Sequence, residues 1–167
     1  MTGPSHRVLS ESEVLSRLKS RRGQPGYLAM FSSWLGGVIT DPALMQIPLD
    51  DHLVHRGHGV FDTCTLSGGN LYRLGVHMDR LLTSAALARI EHSWTKEDLI
   101  QMVMDTASHA RVKDGAVRYW LTAGPGGFSP SPQECDEPCF YCVIIDPVPL
   151  GGTRSDPMSA GIPEATV

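Results

Sequence analysis

The sequence lacks any long apolar run and any excess of basic charge. No segment approaches the roughly 20 apolar residues that a membrane-spanning helix needs, and the amino terminus has no charged region followed by an apolar core and a cleavage site. Lysine and arginine total 14 against 18 acidic residues. These absences argue against nucleic acid or a membrane as a partner. They predict a soluble, intracellular protein, which we expect in the cytoplasm.

Cysteine is also scarce, with four residues and a single CxxC pair, Cys139 with Cys142. A zinc site needs a second ligand pair at a short spacing, and none follows. The pair lies in an apolar segment typical of a strand, where residues three apart point to opposite faces. We therefore expect reduced thiols that pack as small hydrophobic side chains, and no metal site.

Histidine is concentrated in one segment, DDHLVHRGHGVFDT, which holds His52, His55 and His58 just ahead of a predicted strand. The segment has the character of a loop, and no nearby carboxylate or cysteine arrangement completes a metal site. Its glycines, Gly57 and Gly59, predict that the backbone approaches a ligand or another strand closely.

Capping boxes mark two helix starts, at Ser10 with Glu13 and at Thr95 with Asp98. The first helix should end near residue 22. A further helix is indicated over 76–90 by apolar residues at helical spacing. The predicted buried positions of that helix are Met78, Leu81, Leu82, Ala85 and Ala88, and those of the helix beginning at Thr95 are Leu99, Val103, Met104 and Ala107.

Extended segments alternate with these helices. Strands are predicted at 27–34, at 38–39 after a glycine turn, at 116–124 and at 139–146, and a hairpin is predicted from 59–66 to 71–74. The order of elements predicts an α+β fold, in which helices pack on one side of a mostly antiparallel sheet.

The chain divides at residue 146. Residues 1–146 carry the periodic patterns and are predicted to form one domain. Residues 147–167 contain prolines and glycines without either period. This composition predicts a disordered tail.

His77 and Arg80 stand three residues apart on the predicted helix at 76–90. A guanidinium offers a planar fork of donors that suits phosphate, so Arg80 could anchor a phosphorylated cofactor. A surface arginine in an ion pair is the common alternative. The spacing alone leaves both open.

Three motifs in the same order and spacing carry a family resemblance: DDHLVHRGHGVFDT with the hairpin after it, then LGVHMDRLLTSAALARI, then VRYWLTAGPGGF. Over 8–146 the chain resembles the amino-terminal domain of the class IV pyridoxal-phosphate aminotransferases. It is most similar to the branched-chain and D-amino-acid aminotransferase-like proteins of plants. The resemblance implies pyridoxal 5′-phosphate as cofactor, and amino acids and 2-oxo acids as substrates. It also implies a homodimer, or a heterodimer with a relative.

The same resemblance assigns roles to residues. Arg80 matches the arginine that binds the cofactor phosphate in this family. Arg56, Phe61 and Arg118 match positions that line the substrate pocket. His77 lies in the matched motif too, and we expect it to orient the helix and pack locally.

Two departures from the family pattern bear on function. The R-x-H pattern that holds the substrate carboxylate in bacterial D-amino-acid aminotransferases is replaced by GPGGFSPSPQEC. The lysine that forms the Schiff base with the cofactor is not matched by Lys19, Lys96 or Lys113. We therefore expect a truncated family member that is inactive alone. The alternatives are a non-catalytic partner of a full-length relative and a protein like aminodeoxychorismate lyase.

Overall fold

A computed structural model describes residues 6–21, 26–128, 134–135 and 137–146. The predicted tail, 147–167, lies outside the described residues. The helices are α1 (Glu11–Arg21), α2 (His52–Arg56), α3 (Leu74–Leu87) and α4 (Lys96–Ala110), with a 3-10 turn at Pro42–Leu44. The strands are β1 (Tyr27–Ser32), β2 (Gly37–Ile39), β3 (Gly59–Ser67), β4 (Asn70–Leu71), β5 (Gly115–Thr122) and β6 (Cys139–Ile145). Within these ranges, no helix is both long and apolar enough to cross a bilayer.

The six strands form one sheet in the order β2-β1-β6-β5-β3-β4. Every neighbouring pair is antiparallel. The longest pairing joins β3 to β5 from Gly59↔Thr122 to Leu66↔Gly115. Because β4 contributes only two residues, it covers the outer edge of β3 only at Leu66 and Ser67. The rest of that edge has no strand beside it among the described residues.

Side chains alternate between two faces of the sheet. The helix face packs under α3 and α4, with α3 on β3 and α4 on β1 and β6. Its core includes Val117, Tyr119 and Leu121 of β5, all fully buried. The intervening residues of β5 point to the opposite, open face, as strand geometry requires. This architecture confirms the predicted α+β fold with a mostly antiparallel sheet.

The open face carries a smaller apolar cluster around Met30, Tyr141 and Val143. The segment after the 3-10 turn covers this cluster with Met45 and packs Ile47 against it. The two cysteines of the CxxC pair fall on different faces: Cys139 belongs to this cluster and Cys142 to the helix-face core. They therefore pack in separate environments, as their spacing predicted.

Both predicted capping boxes are present. The Ser10 hydroxyl accepts from the Glu13 N–H at 3.4 Å while the Glu13 carboxylate accepts from the Ser10 N–H at 3.0 Å. Thr95 and Asp98 make the same reciprocal pair at the start of α4. Side chains within the first turn form hydrogen bonds with the free N–H groups at these ends. The helix starts could therefore be predicted from the sequence.

Three sequence predictions about these elements were wrong, and the first two concern the second hairpin strand and α4. The second hairpin strand was predicted at 71–74, but it stops at Leu71, because Arg73 adopts a left-handed φ of 50° and α3 begins at Leu74. Met104 was predicted to be buried, but it is 49% exposed. The buried stripe of α4 instead runs through Leu99, Val103 and Thr106, which leaves Met104 at its flank.

Residues 52–56 form a short helix, α2, where an extended or looped segment was expected. Gly57 ends it with a φ of 67°, the left-handed conformation that favours glycine at a helix C-terminus. Gly59 is needed for space, since a Cβ there would lie 2.8 Å from Cδ1 of Leu53 and 3.4 Å from the carbonyl oxygen of Leu121. The predicted close approach is therefore confirmed at Gly59, whereas Gly57 has nothing within 4 Å of such a Cβ.

The carboxylate of Asp51 joins α2 to the sheet. It is fully buried and accepts from the backbone N–H of Leu53 at 2.8 Å, which caps α2. Its second oxygen accepts from the Thr122 hydroxyl at 3.0 Å and from the Tyr141 hydroxyl at 2.8 Å. One side chain thus fixes α2 against the ends of β5 and β6.

Replacing Asp51 should destabilise the whole domain. Asp51→Ala leaves buried donors without an acceptor and should lower the free energy of unfolding by about 2 to 4 kcal/mol. Urea unfolding followed by circular dichroism measures this change. Asp50→Ala is the matched control, because the neighbouring Asp50 is exposed. Equal effects of the two substitutions would contradict the proposed role of Asp51.

Candidate active site

Arg80 and Asp62 form a two-point ion pair between α3 and β3. The Nε–H of Arg80 donates to Oδ2 of Asp62 at 2.6 Å, and Nη2 donates to Oδ1. The two partners differ sharply in exposure, since the Asp62 side chain is 1% exposed and the Arg80 side chain 66%. The carboxylate is therefore a fixed point in the core, and the guanidinium reaches it from the surface.

Two further donors hold the same carboxylate. The backbone N–H of Thr63 donates to Oδ1 at 2.6 Å, and Nδ1 of His77 lies 3.3 Å from that oxygen. Burial by itself favours the protonated acid, but the hydrogen bonds from Arg80, Thr63 and His77 outweigh it, so the pKa of Asp62 lies below its usual value. Asp62 is accordingly ionised at neutral pH. His77 takes the local role that was predicted for it.

The two titratable groups near Asp62 on the helix face, the Cys64 thiol and the Tyr119 hydroxyl, stay protonated at neutral pH. Burial, followed by the nearby Asp62 charge, raises the pKa of the Cys64 thiol to about 11. Burial also raises the pKa of the Tyr119 hydroxyl, with neighbouring Cys64 and Asp62 adding to the effect. The charge of Asp62 is therefore balanced by Arg80, which donates two hydrogen bonds to the carboxylate.

The geometry leaves donor capacity on Arg80 for an anion. A guanidinium has five N–H groups, and Asp62 occupies one on Nε and one on Nη2. The other three belong to a side chain that is mostly exposed. A planar edge of N–H donors fits a phosphate group. Arg80 therefore fits the predicted role of holding the phosphate of pyridoxal 5′-phosphate.

Phe61 and Arg118 lie together on the open face. Cζ of Arg118 is 5.6 Å from the centre of the Phe61 ring, a cation–π contact. The contact follows from strand register, since Phe61 pairs with Trp120 and Arg118 with Thr63 across adjacent strands. Phe61 is 62% exposed. The pair offers an apolar ring and a set of cationic donors side by side.

Arg56 is the last residue of α2 and is half-buried. It forms no hydrogen bond or ion pair with any residue that the structure describes. The structure therefore brings two of the three predicted pocket residues, Phe61 and Arg118, into contact and leaves Arg56 apart from them. The pocket roles of all three stay predictions.

The Arg80–Asp62 pair and the Phe61–Arg118 pair lie on opposite faces of β3. Asp62, which holds Arg80, and Phe61 are consecutive residues and point in opposite directions. They lie in the part of β3 whose outer edge has no described strand beside it.

Asp62 was missed in the sequence, although a signal for it was present. Val60, Cys64 and Leu66 alternate with polar or aromatic residues and mark the face of β3 that packs on the core. Asp62 occupies the same register, so the period of two places a charge in the core. A buried charge requires partners, and the structure identifies Arg80 as the charged one.

The three histidines of the 51–59 segment contact different groups, and the rings of His52 and His55 also meet edge to face with their centres 4.9 Å apart. Nε2 of His52 lies 3.0 Å from the carbonyl oxygen of Gly127, and Nε2 of His58 lies 3.1 Å from that of Ala88. His55 stacks on Phe128 with ring centres 4.7 Å apart. Among the described residues, no group of three or more potential ligands is arranged to hold a metal ion.

The lowered pKa of Asp62 predicts an acid-sensitive contribution to stability. The folded-state pKa lies below the usual 3.8, so the contribution is present above that pH and is lost as the pH falls through the folded-state pKa. Asp62→Asn should lower the free energy of unfolding at about pH 7, and the difference should shrink on acidification below about pH 4. Urea unfolding across this range measures it. A difference that does not change with pH would contradict the assignment.

Comparison with known proteins places the chain in a family. The model of amino-transferase class IV matches residues 59–163, which includes part of the segment beyond 146. The chain is 49% identical over 138 residues to the chloroplastic D-amino-acid transaminase of Arabidopsis thaliana, which covers 83% of this chain and 37% of that protein. The chain thus spans little more than a third of the length of this relative.

Solved structures share the fold. The branched-chain amino acid aminotransferase of Escherichia coli matches with a TM-score of 0.62 and 17% identity, over 71% of this chain and 39% of that one. The branched-chain aminotransferase of Thermoproteus uzoniensis, crystallised with norvaline, matches with a TM-score of 0.62 and 21% identity, over 72% and 41%. With the family model matching more than half of the residues and a relative at 49% identity, the chain belongs to the class IV aminotransferases.

Proposed function

We propose that the chain supplies the phosphate anchor and one pocket wall of an aminotransferase that moves an amino group between an amino acid and a 2-oxo acid. The observation that carries this proposal is the exposed guanidinium of Arg80, held by Asp62 with three N–H groups left over. The cofactor is pyridoxal 5′-phosphate, which when bound supplies an electron sink for bond breaking at the substrate α-carbon.

The residues of the chain bind and orient in this proposal. Arg80 holds the phosphate through charge-assisted hydrogen bonds. On the other face of β3, the Phe61 ring provides apolar contact, and Arg118 provides donors for a carboxylate. Arg56, at the end of α2, completes the substrate side. Because the two groups flank an open strand edge, they fix the two ends of a bound cofactor–substrate pair.

The contacts of the three lysines support the proposal that none of them supplies the proton-transfer group. Nζ of Lys96 pairs with Asp79 at 2.5 Å, and Nζ of Lys19 lies 4.0 Å from Asp41. Lys113 lies in the connection before β5, where its carbonyl accepts from the Gly69 N–H at 2.8 Å. We therefore propose that the 167-residue chain is inactive alone. Activity would require the remainder of the family fold, or pairing with a complete relative in a homodimer or heterodimer.

The amino donor and its stereochemistry are set by the pocket. The Arabidopsis relative is named for D-amino acids, and the structural neighbours for branched-chain ones. On the open face, Phe61 and the half-buried Trp120 offer apolar contact for the side chain of a substrate amino acid. The cytoplasmic location stays a prediction from the sequence, whereas the Arabidopsis relative is described as chloroplastic.

Loss of Arg80 should weaken cofactor binding much more than loss of Arg118. Arg80→Ala should raise the dissociation constant for pyridoxal 5′-phosphate by about tenfold or more, because it removes charge-assisted donors from the phosphate. Arg118→Ala, the matched control, removes an arginine from the substrate side and should change the constant little. Equilibrium dialysis measures both. Equal losses would remove Arg80 from its proposed role.

The chain alone should show no specific covalent link to the cofactor. After incubation with pyridoxal 5′-phosphate and reduction with borohydride, peptide mapping should find no stoichiometric label at one of Lys19, Lys96 and Lys113. No 2-oxo acid should form from the amino acids tested, because no lysine is placed to act as the base. Full labelling of a single lysine together with turnover would overturn the proposal that the chain is inactive alone.

A further inference from the structure

We propose that Asp62 and His77 are positioning residues for Arg80, which orient its guanidinium so that the remaining N–H groups face a phosphate. This inference rests on the proposed function, because it concerns the same anchor. It assigns a role to a buried carboxylate and a half-buried histidine that lie behind the arginine.

The contacts show which partner is fixed. Asp62 is held from three directions, by its own strand, by the Thr63 N–H at 2.6 Å and by His77 at 3.3 Å. Its side chain is 1% exposed, so it has no alternative position within the packed core. Arg80 has a long side chain at the surface and would sample many rotamers if it were free. The bidentate contact therefore orders Arg80 rather than Asp62.

The contact also sets the direction of the free donors. A guanidinium is planar, so occupying Nε and one side of Nη2 fixes the plane and leaves the Nη1 side outward. The entropy of ordering the side chain is then lost during folding. A phosphate that binds later meets a guanidinium that is already oriented.

The negative charge of Asp62 raises an alternative to the positioning role. Asp62 is ionised and partly neutralises Arg80, so it could instead compete with a phosphate for the guanidinium. The two roles predict opposite effects of removing the carboxylate: a positioning residue weakens phosphate binding when it is lost, and a competitor strengthens it. Geometry favours positioning, because Asp62 leaves the Nη1 side of Arg80 unoccupied.

Binding of phosphate-bearing ligands to the full chain tests the inference. The probes are inorganic phosphate, pyridoxine 5′-phosphate and pyridoxine, none of which carries an aldehyde that could react with lysine. The variants are Asp62→Ala, Asp62→Asn, His77→Ala and Arg80→Ala. The matched controls are Asp79→Ala, an exposed carboxylate on the same helix, and His109→Ala, an exposed histidine on α4.

Asp62→Ala should weaken binding of pyridoxine 5′-phosphate by roughly three- to tenfold, the range expected when the ordering of one side chain moves into the binding step. Affinity for pyridoxine, which lacks the phosphate, should not change. His77→Ala should cause a smaller loss in the same direction, and both controls should bind as the unaltered chain does. A general loss of structure would lower the affinities for pyridoxine 5′-phosphate and for pyridoxine together. The ratio of these two affinities therefore distinguishes a loss of positioning from a loss of folding.

A signature in the free protein supports the same test. The Arg80 Nε–H should give a distinct, slowly exchanging NMR signal that disappears in Asp62→Ala and that shifts on addition of phosphate in the unaltered chain. If Asp62→Ala does not fold, Asp62→Asn carries the test. Its amide oxygen keeps the shape and one acceptor, and it should bind phosphate more weakly than the unaltered chain.

The possible failures are distinguishable. If Arg80→Ala binds pyridoxine 5′-phosphate as tightly as the unaltered chain, or if the unaltered chain shows no response to phosphate, the anchor itself fails, and with it the proposed function. If Arg80→Ala weakens binding but the Asp62 variants do not, only the positioning role is overturned. Tighter binding by the Asp62 variants would identify Asp62 as a competitor of the phosphate.

Discussion

The hydrogen bonds of the buried Asp51 carboxylate are the interactions on which the arrangement of the site depends. The carboxylate caps α2 through Leu53 and accepts from hydroxyls of β5 and β6, and its partner Thr122 pairs with Gly59 at the start of β3. A buried carboxylate without hydrogen-bond partners would be costly in this position, and three donors satisfy it. Both Arg56 at the end of α2 and Phe61 near the start of β3 derive their placement from this network.

Strand alternation then separates the tasks of the site. On β3, Asp62 faces the helices and recruits Arg80, whereas Phe61 faces the open side and contacts Arg118. Consecutive residues of one strand therefore direct the two arginine contacts to opposite faces of the sheet. A shift of the β3–β5 register by one residue would exchange the two environments.

Much of the fold could be predicted from the sequence, because local chemistry determines it. The capping boxes marked the starts of α1 and α4, and hydrophobic period identified α3 and the strands. The errors arose where tertiary contacts decide. Arg73 ends β4 by adopting a left-handed conformation that no propensity reveals, and α2 forms because Asp51 caps it within a buried network. Met104 is exposed because of where α4 meets the sheet, and helical period alone does not determine that position.

The candidate site was predictable to a smaller extent. The family resemblance supplied Arg80, Arg56, Phe61 and Arg118, but not their relations to one another. The Phe61–Arg118 contact requires the register between β3 and β5, which joins residues more than 50 positions apart in the chain. Asp62 was missed, although the alternation of β3 placed a charged residue on the core face. Its partner on α3 could be identified only from the packing of the helix on the sheet.

The uncovered outer edge of β3 has a consequence for handling the protein. Along Val60 to Cys64 the outward backbone groups have no described strand to pair with. Unpaired main-chain groups at a strand edge can form hydrogen bonds with an extended chain, although the Thr63 N–H already donates to Asp62. We therefore expect concentrated solutions and slow refolding to favour edge-to-edge aggregation of the chain. A charged residue or proline introduced at this edge would suppress aggregation, but it would also alter the strand that separates Arg80 from Arg118.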